Sequence, residues 1–312
     1  MNRIFLLLII FITTSLAGCS SCVTTPAARN MVKVRYENNL YEVPAKPSRV
    51  VLLSSALTEL WINAGGEDSI AACPLSGGLS LDLRSKLRKD IIDIGSSTTL
   101  SLEKVLAAEP DLVIGLSNYA LNDRMKTAIE NSGIPFLPVK NVYLQDNCNI
   151  LKLFGEILDK QKLASAKIKS LEQRLDNEKT RRNGKKAKKV LMIWGTPNSI
   201  MLVTPNSRHG ELLRLAGGQN IVPPANKDHG YIPISLEYIM EQQPDMIIFN
   251  NHGDTQKIEV KLQQELMSNP AWNGLKAVRE RQVHLLPEEI FPINPGLRSI
   301  DAIVYLGHLL YP

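Results

Sequence analysis

The chain lacks the short motifs that organise many active sites. The stretch GLSNY, residues 115–119, follows an apolar run but has no closing glycine, so no Gly-x-Ser-x-Gly elbow is present. Gly184 and Lys185 have neither the upstream glycine nor the following Ser or Thr of a phosphate loop. A His-Glu-x-x-His helix is also missing. From these absences the sequence predicts a protein that is not an enzyme.

Aromatic residues make up 5% of the chain, and there are 4 cysteines in its 312 residues. Because rings stack on large flat ligands, their scarcity favours a smaller, polar ligand. A bare metal ion would need several His and carboxylate ligands at coordinating spacing, and no such set is evident. In an exported protein Cys73 and Cys148 could form a disulfide, or both could be buried free thiols.

The chain also lacks the features of a nucleic-acid-binding protein. The net charge is +5, and much of it lies in one basic run at residues 179–189. No aromatic side chain interleaves with these lysines and arginines, so the run lacks the stacking groups of a nucleic-acid groove. We interpret it as a solvated helix end and loop, and we expect no nucleic-acid partner.

The N-terminus has the features of an export signal. Arg3 supplies a positive charge, residues 4–12 are all apolar, and a Leu-Ala-Gly triplet precedes Cys19. The apolar run is too short for a stable membrane span. The Leu-Ala-Gly-Cys ending resembles a bacterial lipoprotein signal. That resemblance implies removal of residues 1–18, lipids on Cys19 and a polar tether at residues 19–31.

One twelve-residue pattern occurs twice. SALTELWINAGG, residues 55–66, and SRHGELLRLAGG, residues 207–218, share Ser, Glu, Leu, Ala and two Gly at the same positions. Each follows an apolar run, VVLLS directly or VLMIW after a hairpin-like interlude, that favours a buried strand. Each pattern predicts a helix that ends at the Gly pair, because glycine adopts the left-handed conformation common at helix C-termini.

A second pattern also occurs twice, in the same order. SLEKVLAAEPDLVI, residues 101–114, matches SLEYIMEQQPDMII, residues 235–248, at Ser, Leu, Glu, Pro, Asp and the last Ile. The serine predicts a helix N-cap, the glutamate favours the first turn, and the proline ends the helix before a buried strand. Both halves thus alternate strands and helices, which indicates two similar open α/β lobes with right-handed crossovers.

A segment without Gly or Pro joins the two halves. Residues 162–182 would span about 31 Å as a single helix, long enough to act as a strut between the lobes. Leu163, Ala166, Leu171 and Leu175 are predicted to share its apolar face. A ligand cleft is expected between the lobes. The predicted domains are an N-terminal lobe at residues 32–146, connecting helices at residues 147–188, and a C-terminal lobe at residues 189–312.

With these repeats, the lipoprotein ending and the strut, the chain resembles the substrate-binding lipoproteins of ABC importers for iron–siderophore complexes, haem and cobalamin. The resemblance implies a monomer that is lipid-anchored on the extracytoplasmic face of a bacterial membrane. Such a protein captures a metal complex, with a ferric siderophore expected first and haem or cobalamin next, and delivers it to a two-fold permease and its ATPase. It has no cofactor of its own. The alternatives are a ligand-sensing receptor of the same fold and a carrier for a nickel or cobalt chelate.

The resemblance also implies which residues bind the permease. Members of the family present one acidic residue on the outer rim of each lobe to an arginine-bearing pocket. Glu59 and Glu211 stand four residues after the repeated serine, so we expect them to be the docking pair. Carboxylate–guanidinium pairs are geometry-specific, which suits a contact that must set register.

The ligand cleft is expected where loops follow the carboxyl ends of the strands. Tyr119, Trp194 and Tyr231 could stack on a flat ligand. Arg298 could meet a carboxylate or phosphate of the ligand, or it could cap its own helix. The candidate metal ligands are the loop histidines His209, His229 and His252. The full set of candidate cleft residues is Ser55, Tyr119, Trp194, His209, Tyr231, His252 and Arg298.

Overall fold

The computed structural model describes residues 30–75, 79–96, 99–117, 119–224, 230–292, 294 and 296–312. The predicted export signal, Cys19 and His229 lie outside the described residues. Within the described part of the chain, no helix is long and apolar enough to cross a membrane.

The N-terminal lobe contains a five-stranded parallel sheet, which an antiparallel hairpin precedes. Its strands are β1 (Met31–Tyr36), β2 (Asn39–Pro44), β3 (Val50–Leu52), β4 (Ile70–Cys73), β5 (Ile92–Asp93), β6 (Leu112–Leu116) and β7 (Phe136–Val139). The order in the sheet is β5-β4-β3-β6-β7. The central strand β3 is fully buried, as its continuous apolar run predicts for a parallel strand covered on both faces.

Helices cover this sheet, and the repeated serine caps one of them. They are α1 (Ser55–Asn63), α2 (Leu81–Ser85), α3 (Leu102–Ala107), α4 (Ala120–Asn131) and α5 (Leu144–Leu158). At the start of α3, the Ser101 hydroxyl accepts a hydrogen bond from the Lys104 backbone N–H at 3.3 Å. Helices α1 and α5 pack through an edge-on contact of the Trp61 and Phe154 rings, whose centroids are 4.8 Å apart.

A 21-residue helix, α6 (Gln161–Arg181), is the strut between the lobes. The predicted apolar face is out of phase at its start, because Leu163 and Ala166 are exposed and Ala164 is buried instead. Gly155 of α5 sets this phase. A Cβ at that glycine would lie 2.7 Å from the Ala164 Cβ, so the two helices approach closely there. Further along the same face, the half-buried residues are Ile168, Leu171 and Leu175.

The C-terminal lobe is built on a mixed sheet. Its strands are β8 (Lys189–Gly195), β9 (Ile200–Val203), β10 (Gln219–Asn220), β11 (Tyr231–Pro233), β12 (Met246–Asn251) and β13 (Val283–Leu285). The order is β11-β9-β8-β12-β13, with β10 beside β8. Strands β8, β12 and β13 run parallel, whereas β9 is antiparallel to both β8 and β11. The β8–β9 hairpin is the interlude predicted before the repeated helix.

Six helices are described in this lobe. They are α7 (Arg208–Ala216), α8 (Leu236–Gln242), α9 (Thr255–Leu262), α10 (Pro270–Asn273), α11 (Lys276–Arg279) and α12 (Ser299–Leu310). A π-helical turn, Gln263–Met267, extends α9, and a 3₁₀ turn, Gly296–Arg298, leads into α12. The Ser235 hydroxyl accepts a hydrogen bond from the Tyr238 backbone N–H and caps α8 as Ser101 caps α3.

The two lobes repeat the same backbone details. Gly65 and Gly217, at matching positions after α1 and α7, have φ angles of 83° and 93°. Glu109 and Gln243, each directly before the repeated proline, have φ angles of 45° and 46°. These values lie in the left-handed region, which residues other than glycine rarely enter. The sequence repeat is therefore a repeat of conformation and confirms the prediction of two similar α/β lobes joined by a long helix.

The repeated aspartate has the same role in both lobes. Asp111 accepts hydrogen bonds from the backbone N–H groups of Ser48 and Arg49 at the start of β3. Asp245 accepts one from the Lys189 backbone N–H at the start of β8. In each lobe the carboxylate therefore joins the beginnings of two neighbouring strands.

The two cysteines of the N-terminal half do not form a disulfide. Cys73 is buried, Cys148 is half-buried, and both are free thiols. Burial raises the pKa of each thiol to about 11. Both thiols therefore stay protonated at neutral pH and are weak nucleophiles and metal ligands.

Candidate ligand-binding site

Four of the predicted cleft residues form one cluster in the C-terminal lobe. Trp194 is near the end of β8, His209 is in the first turn of α7, Tyr231 begins β11, and His252 directly follows β12. The Trp194 ring centroid lies 5.0 Å from that of His209 and 5.2 Å from that of Tyr231. The two imidazole centroids are 6.1 Å apart. The parallel strands β8 and β12 bring these side chains together at their carboxyl ends, as the sequence predicts.

His252 stacks on Trp194. Their centroids are 4.1 Å apart and the rings are inclined by 26°. His252 is 6% exposed, and burial lowers its pKa to about 4, so the imidazole is neutral at pH 7. Its Nδ1 lies 3.8 Å from an oxygen of the largely exposed Glu288 carboxylate, while its Nε2 has no hydrogen-bond partner. A neutral imidazole with a free ring nitrogen is the form that binds a metal.

His209 is not in a loop, contrary to the prediction. Ser207 caps α7 by accepting a hydrogen bond from the Gly210 backbone N–H, which makes His209 the second residue of the helix. The imidazole is 1% exposed, and its Nδ1 lies 3.2 Å from the Tyr231 hydroxyl. Burial, with smaller effects of His252 and Arg208, lowers its pKa to about 3. His209 therefore supports the Tyr231 side of the cluster as a neutral group.

Arg208 belongs to the same cluster and was missed by the sequence interpretation. Its Nη2 donates hydrogen bonds to the backbone carbonyl and the side-chain oxygen of Asn141, at 2.7 Å and 3.1 Å, across the gap between the lobes. Burial lowers its pKa to about 10, so the guanidinium remains charged, and its Nη1 is buried without a hydrogen-bond partner. The sequence does contain a signal for Arg208. A cation in the first turn of a helix is unfavourable next to the helix dipole, so its presence there indicates another role.

The carboxyl end of β12 also places amide groups beside the rings. Asn250 lies opposite Trp194 in the β8–β12 register and is fully buried. Neither its side-chain oxygen nor its nitrogen has a hydrogen-bond partner among the described residues. The side-chain oxygen of Asn251, also buried, has none either. Buried polar groups are nearly always paired, so this edge is suited to a ligand or solvent that offers both donors and acceptors.

The predicted N-terminal site residues lie at the matching edge of the first sheet. Ser55 is the first residue of α1, just after β3, and is half-buried. Tyr119 precedes α4, just after β6, and is also half-buried. Tyr119 thus lies between β6 and α4, whereas Ser55 begins helix α1 and is not in a loop, contrary to the prediction.

Arg298 and Glu59 meet each other in the structure. The Arg298 Nε lies 3.6 Å from a Glu59 carboxylate oxygen, and the Leu297 backbone N–H donates to the other oxygen at 3.1 Å. Both residues line a groove of about 350 Å³ that borders the strut α6 and contains no member of the aromatic cluster. Arg298 also precedes α12 directly. The Arg298 side chain makes no capping hydrogen bond to α12 and faces the Glu59 carboxylate instead, so neither predicted role of Arg298 is the contact that the structure shows.

The structure corrects the expected position of the docking pair. Glu59 is 3% exposed, and its side chain is turned towards the other lobe rather than the outer rim. Burial raises its pKa to about 6, against the lowering effect of Arg298. The side chain of Glu211 is 12% exposed, and it accepts a hydrogen bond from the Leu144 backbone N–H at 2.9 Å. Neither carboxylate can enter a pocket on another protein without leaving these partners.

Metal coordination by protein side chains alone has little support. Among the residues that the structure describes, no group of three or more His, Cys, Asp or Glu is placed to hold a metal ion. The cluster does offer two neutral imidazoles, those of His209 and His252, together with stacked rings and a buried guanidinium. That donor set fits a metal already held by an organic chelator, with an imidazole completing its coordination.

The model of the periplasmic binding protein family matches residues 50–290, which is most of both lobes. This chain belongs to the periplasmic binding protein family. Its relatives serve as substrate-binding proteins of ABC importers for haem, siderophores and other metal chelates, and the family is not enzymatic. The predictions of the family and of a non-enzymatic binding protein are confirmed.

Several known proteins are similar to this chain. The high-affinity heme uptake system protein IsdE of Staphylococcus aureus is 29% identical over 72% of this chain and 75% of its own length. The structure of S. aureus IsdE complexed with heme has a TM-score of 0.71 and 25% identity, covering 85% of this chain and 99% of that one. The petrobactin-binding protein YclQ of Bacillus subtilis shares the fold, with a TM-score of 0.72 at 18% identity, over 91% and 100% of the two chains.

Proposed function

We propose that this protein captures haem between its lobes and presents it to an ABC importer. The observation that carries the proposal is the stacked pair of Trp194 and His252. His252 offers an unpartnered Nε2 that is neutral at pH 7, and Trp194 offers a flat apolar surface beside it. An imidazole next to an indole suits a macrocycle whose metal accepts an axial nitrogen ligand.

Arg208 supports the same ligand class. Its charged guanidinium is buried next to the rings, and its Nη1 has no hydrogen-bond partner in the described part of the chain. A buried cation is costly unless an anion pairs with it. Haem carries two carboxylates on its edge, and a carboxylate is the group that an arginine binds best. The similarity to a heme uptake protein at 29% identity agrees with this choice.

A ferric siderophore, which the sequence interpretation placed first, is the second candidate. It is favoured by the polar edge of β12, where the buried Asn250 side chain has no partner for either of its amide atoms. Hydroxamate and catecholate chelates are rich in hydrogen-bonding oxygens and would suit such an edge. Haem is preferred because Trp194 and Tyr231 lie together with two imidazoles at one edge of the sheet.

Delivery to the permease and lipid anchoring through Cys19 complete the proposal. The matching acidic residues that remain at the surface are Glu103 and Glu237, in the first turns of α3 and α8. Both are exposed and occupy the same place in the second repeat, so they replace Glu59 and Glu211 as the proposed docking pair. A two-fold permease would meet one carboxylate from each lobe.

The test is a titration of the protein with ferric haem, followed by the Soret absorbance band and by Trp fluorescence. We expect saturable binding with the spectrum of an imidazole-ligated haem. His252→Ala should lose that spectral signature and weaken binding by about 2 kcal/mol, or roughly 30-fold. His308 is an exposed histidine on α12, so His308→Ala is the matched control and should bind haem like the unaltered chain.

A ferric hydroxamate and a ferric catecholate provide the other arms of this titration. Absence of saturable haem binding, with saturable quenching by one of these chelates, would replace haem by a siderophore. If haem bound normally and His252→Ala kept the Soret spectrum, the assignment of His252 as the metal ligand would be wrong.

A further inference from the structure

The buried carboxylates of Glu59 and Glu211 each cross to the other lobe. Glu59 is in α1 of the N-terminal lobe and accepts a hydrogen bond from the Leu297 backbone N–H of the C-terminal lobe at 3.1 Å. Glu211 is in α7 of the C-terminal lobe and accepts one from the Leu144 backbone N–H at 2.9 Å. The two residues occupy the same position of the sequence repeat, so each lobe contributes an equivalent carboxylate to the other.

The receiving ends of these contacts are equivalent too. Leu144 is the first residue of α5, the helix that follows β7, and Leu297 is in the 3₁₀ turn that follows β13 and leads into α12. Backbone N–H groups at a helix start have no partner within the helix, and the local dipole favours an anion. Helix α5 packs on α1, and α12 packs on α7. Glu59 on α1 therefore caps the turn that leads into α12, and α12 packs on α7, the helix of Glu211. Glu211 in turn caps α5, which packs on α1, the helix of Glu59.

The surroundings of Glu59 show a close fit across the lobe boundary. Gly296 has a φ of 56°, and a Cβ there would lie 2.9 Å from the Glu59 carboxyl carbon. The Gly296 carbonyl accepts a hydrogen bond from the Nδ2 of Asn147, a fully buried residue of α5, at 2.8 Å. Glycine is needed at position 296 both for its backbone conformation and for this approach. The contact between Glu59 and the segment at Gly296 is therefore buried and closely packed, unlike a surface ion pair.

Stability alone does not account for these carboxylates. Burial raises the pKa of both, that of Glu59 to about 6, which means that the charged form is disfavoured where it lies. A buried charge that costs stability can still fix one arrangement among several, as polar groups do in some protein cores. Fixing the angle between two lobes is a task that such directional contacts can perform.

We propose that Glu59 and Glu211 are crossed helix caps that set the angle between the lobes and, through it, the width of the ligand cleft. They are positioning residues and do not touch the ligand. Their effect on affinity rests on the proposed function, since it requires a ligand held between the lobes. Their effect on lobe geometry is independent of any ligand.

The test measures the distance between the lobes directly. The four native cysteines are replaced by alanine, and spin labels are attached at Thr127→Cys on α4 and Gln256→Cys on α9, both exposed sites. We expect one narrow distance distribution by pulsed electron resonance. Glu59→Ala with Glu211→Ala should broaden and shift this distribution, and should weaken ferric haem binding about tenfold. Glu59→Gln with Glu211→Gln should keep it narrow, because the amide oxygen still accepts from the backbone N–H.

The matched control is Asp111→Ala with Asp245→Ala. These aspartates also accept backbone N–H groups and also form a repeat pair, but each acts within one lobe. The control should lower the melting temperature and leave the distance distribution narrow. An unchanged distribution in the Glu→Ala pair would overturn the proposal, whatever its haem affinity. If the double variant does not fold, Glu211→Ala alone, at the less buried site, gives the same decision. Haem binding that fails in every variant, with the distances as expected, would instead reject the proposed ligand.

Discussion

The two lobes share their backbone framework but differ in the side chains at the ends of their strands. They share left-handed glycines after α1 and α7, strained residues before the repeated proline, and aspartates that join neighbouring strands. The rings and imidazoles that form a cluster, by contrast, all belong to the C-terminal lobe. These backbone details follow the repeat, whereas the groups of the candidate ligand site do not. A duplicated fold thus keeps the residues that shape its backbone, while the groups at its strand ends are free to differ.

The difference has a structural source in the second sheet. The C-terminal lobe contains the β8–β9 hairpin and the antiparallel strand β11, which have no counterpart among the described residues of the all-parallel first sheet. Strand β11 begins with Tyr231, and that residue contacts His209 and Trp194. These additional strands therefore supply part of the candidate ligand site, through Tyr231. We expect ligand affinity to depend mainly on the C-terminal lobe.

The largest expected effect tests this asymmetry with one aromatic residue from each lobe. Trp194→Ala should weaken haem binding by about 2–3 kcal/mol, roughly 30- to 150-fold, because it removes the stacking surface and the support of His252. Tyr119→Ala, at the matching edge of the other lobe, should cost less than about 1 kcal/mol. Both affinities can be measured by Soret titration, after circular dichroism has shown that each variant is folded. Equal losses would mean that the two lobes share the ligand evenly.

The next effect concerns the buried pair of cross-lobe carboxylates. The pKa of Glu59 is about 6 in the folded chain, against 4.5 for an ordinary glutamate, so its charge destabilises the fold above pH 6. Glu59→Gln should therefore raise the free energy of unfolding at pH 7–8 by about 2 kcal/mol. This gain should shrink as the pH falls from 6 to 4.5, because the unaltered carboxyl becomes protonated, and it should vanish below pH 4.5.

Glu211→Gln should show the same sign with a smaller gain, because the side chain of Glu211 is 12% exposed and that of Glu59 is 4% exposed. Denaturant unfolding at a series of pH values measures both. Arg298 faces Glu59 directly, and a gain that does not change with pH would show that the pKa of Glu59 is the same in the folded and unfolded chain. The other charged side chains that line the same groove are Asp82, Lys86, Lys167, Arg174 and Asp301.

Much of the frame could be predicted from the sequence because local chemistry determines it. Ser101 and Ser235 were identified as helix caps from their spacing to Glu and Pro, and both act as caps. The apolar runs before Trp194 and His252 predict that both lie at strand ends, whereas Tyr231, which is predicted in a loop, begins strand β11. For the caps and for those two strand ends, the signal lies within a few residues of the feature that it specifies.

The parts that could not be predicted depend on contacts between distant segments. The repeat shows that Glu59 and Glu211 are equivalent, but equivalence does not say whether a side chain faces solvent or the other lobe. The partner of Glu59 is Leu297, which is 238 residues away. The role of Arg208 is not predictable for a similar reason, because its partner Asn141 belongs to the other lobe. The phase of the strut likewise depends on the approach of Gly155 to Ala164.

The smallest expected effect concerns Glu109 and Gln243, where the two lobes share a backbone conformation but not the contacts of the side chain. Glu109 and Gln243 have the same left-handed φ, which costs about 1–2 kcal/mol for a residue with a Cβ. Glycine removes that strain but loses about 0.5–1 kcal/mol of chain entropy on folding. Glu109 is exposed, so Glu109→Gly should stabilise the fold by about 0.5 kcal/mol, measured by chemical denaturation.

The same change in the other lobe should have the opposite sign. The Gln243 side chain accepts a hydrogen bond from the Lys276 backbone N–H at 3.1 Å and donates one to the Met240 carbonyl at 2.9 Å. Gln243→Gly loses both, at about 0.5–1.5 kcal/mol each, which exceeds the relief of strain. Stabilisation by both variants would show that the backbone repeat alone controls this position. Opposite signs would show that the side-chain hydrogen bonds of Gln243 in the C-terminal lobe outweigh the strain of its left-handed backbone.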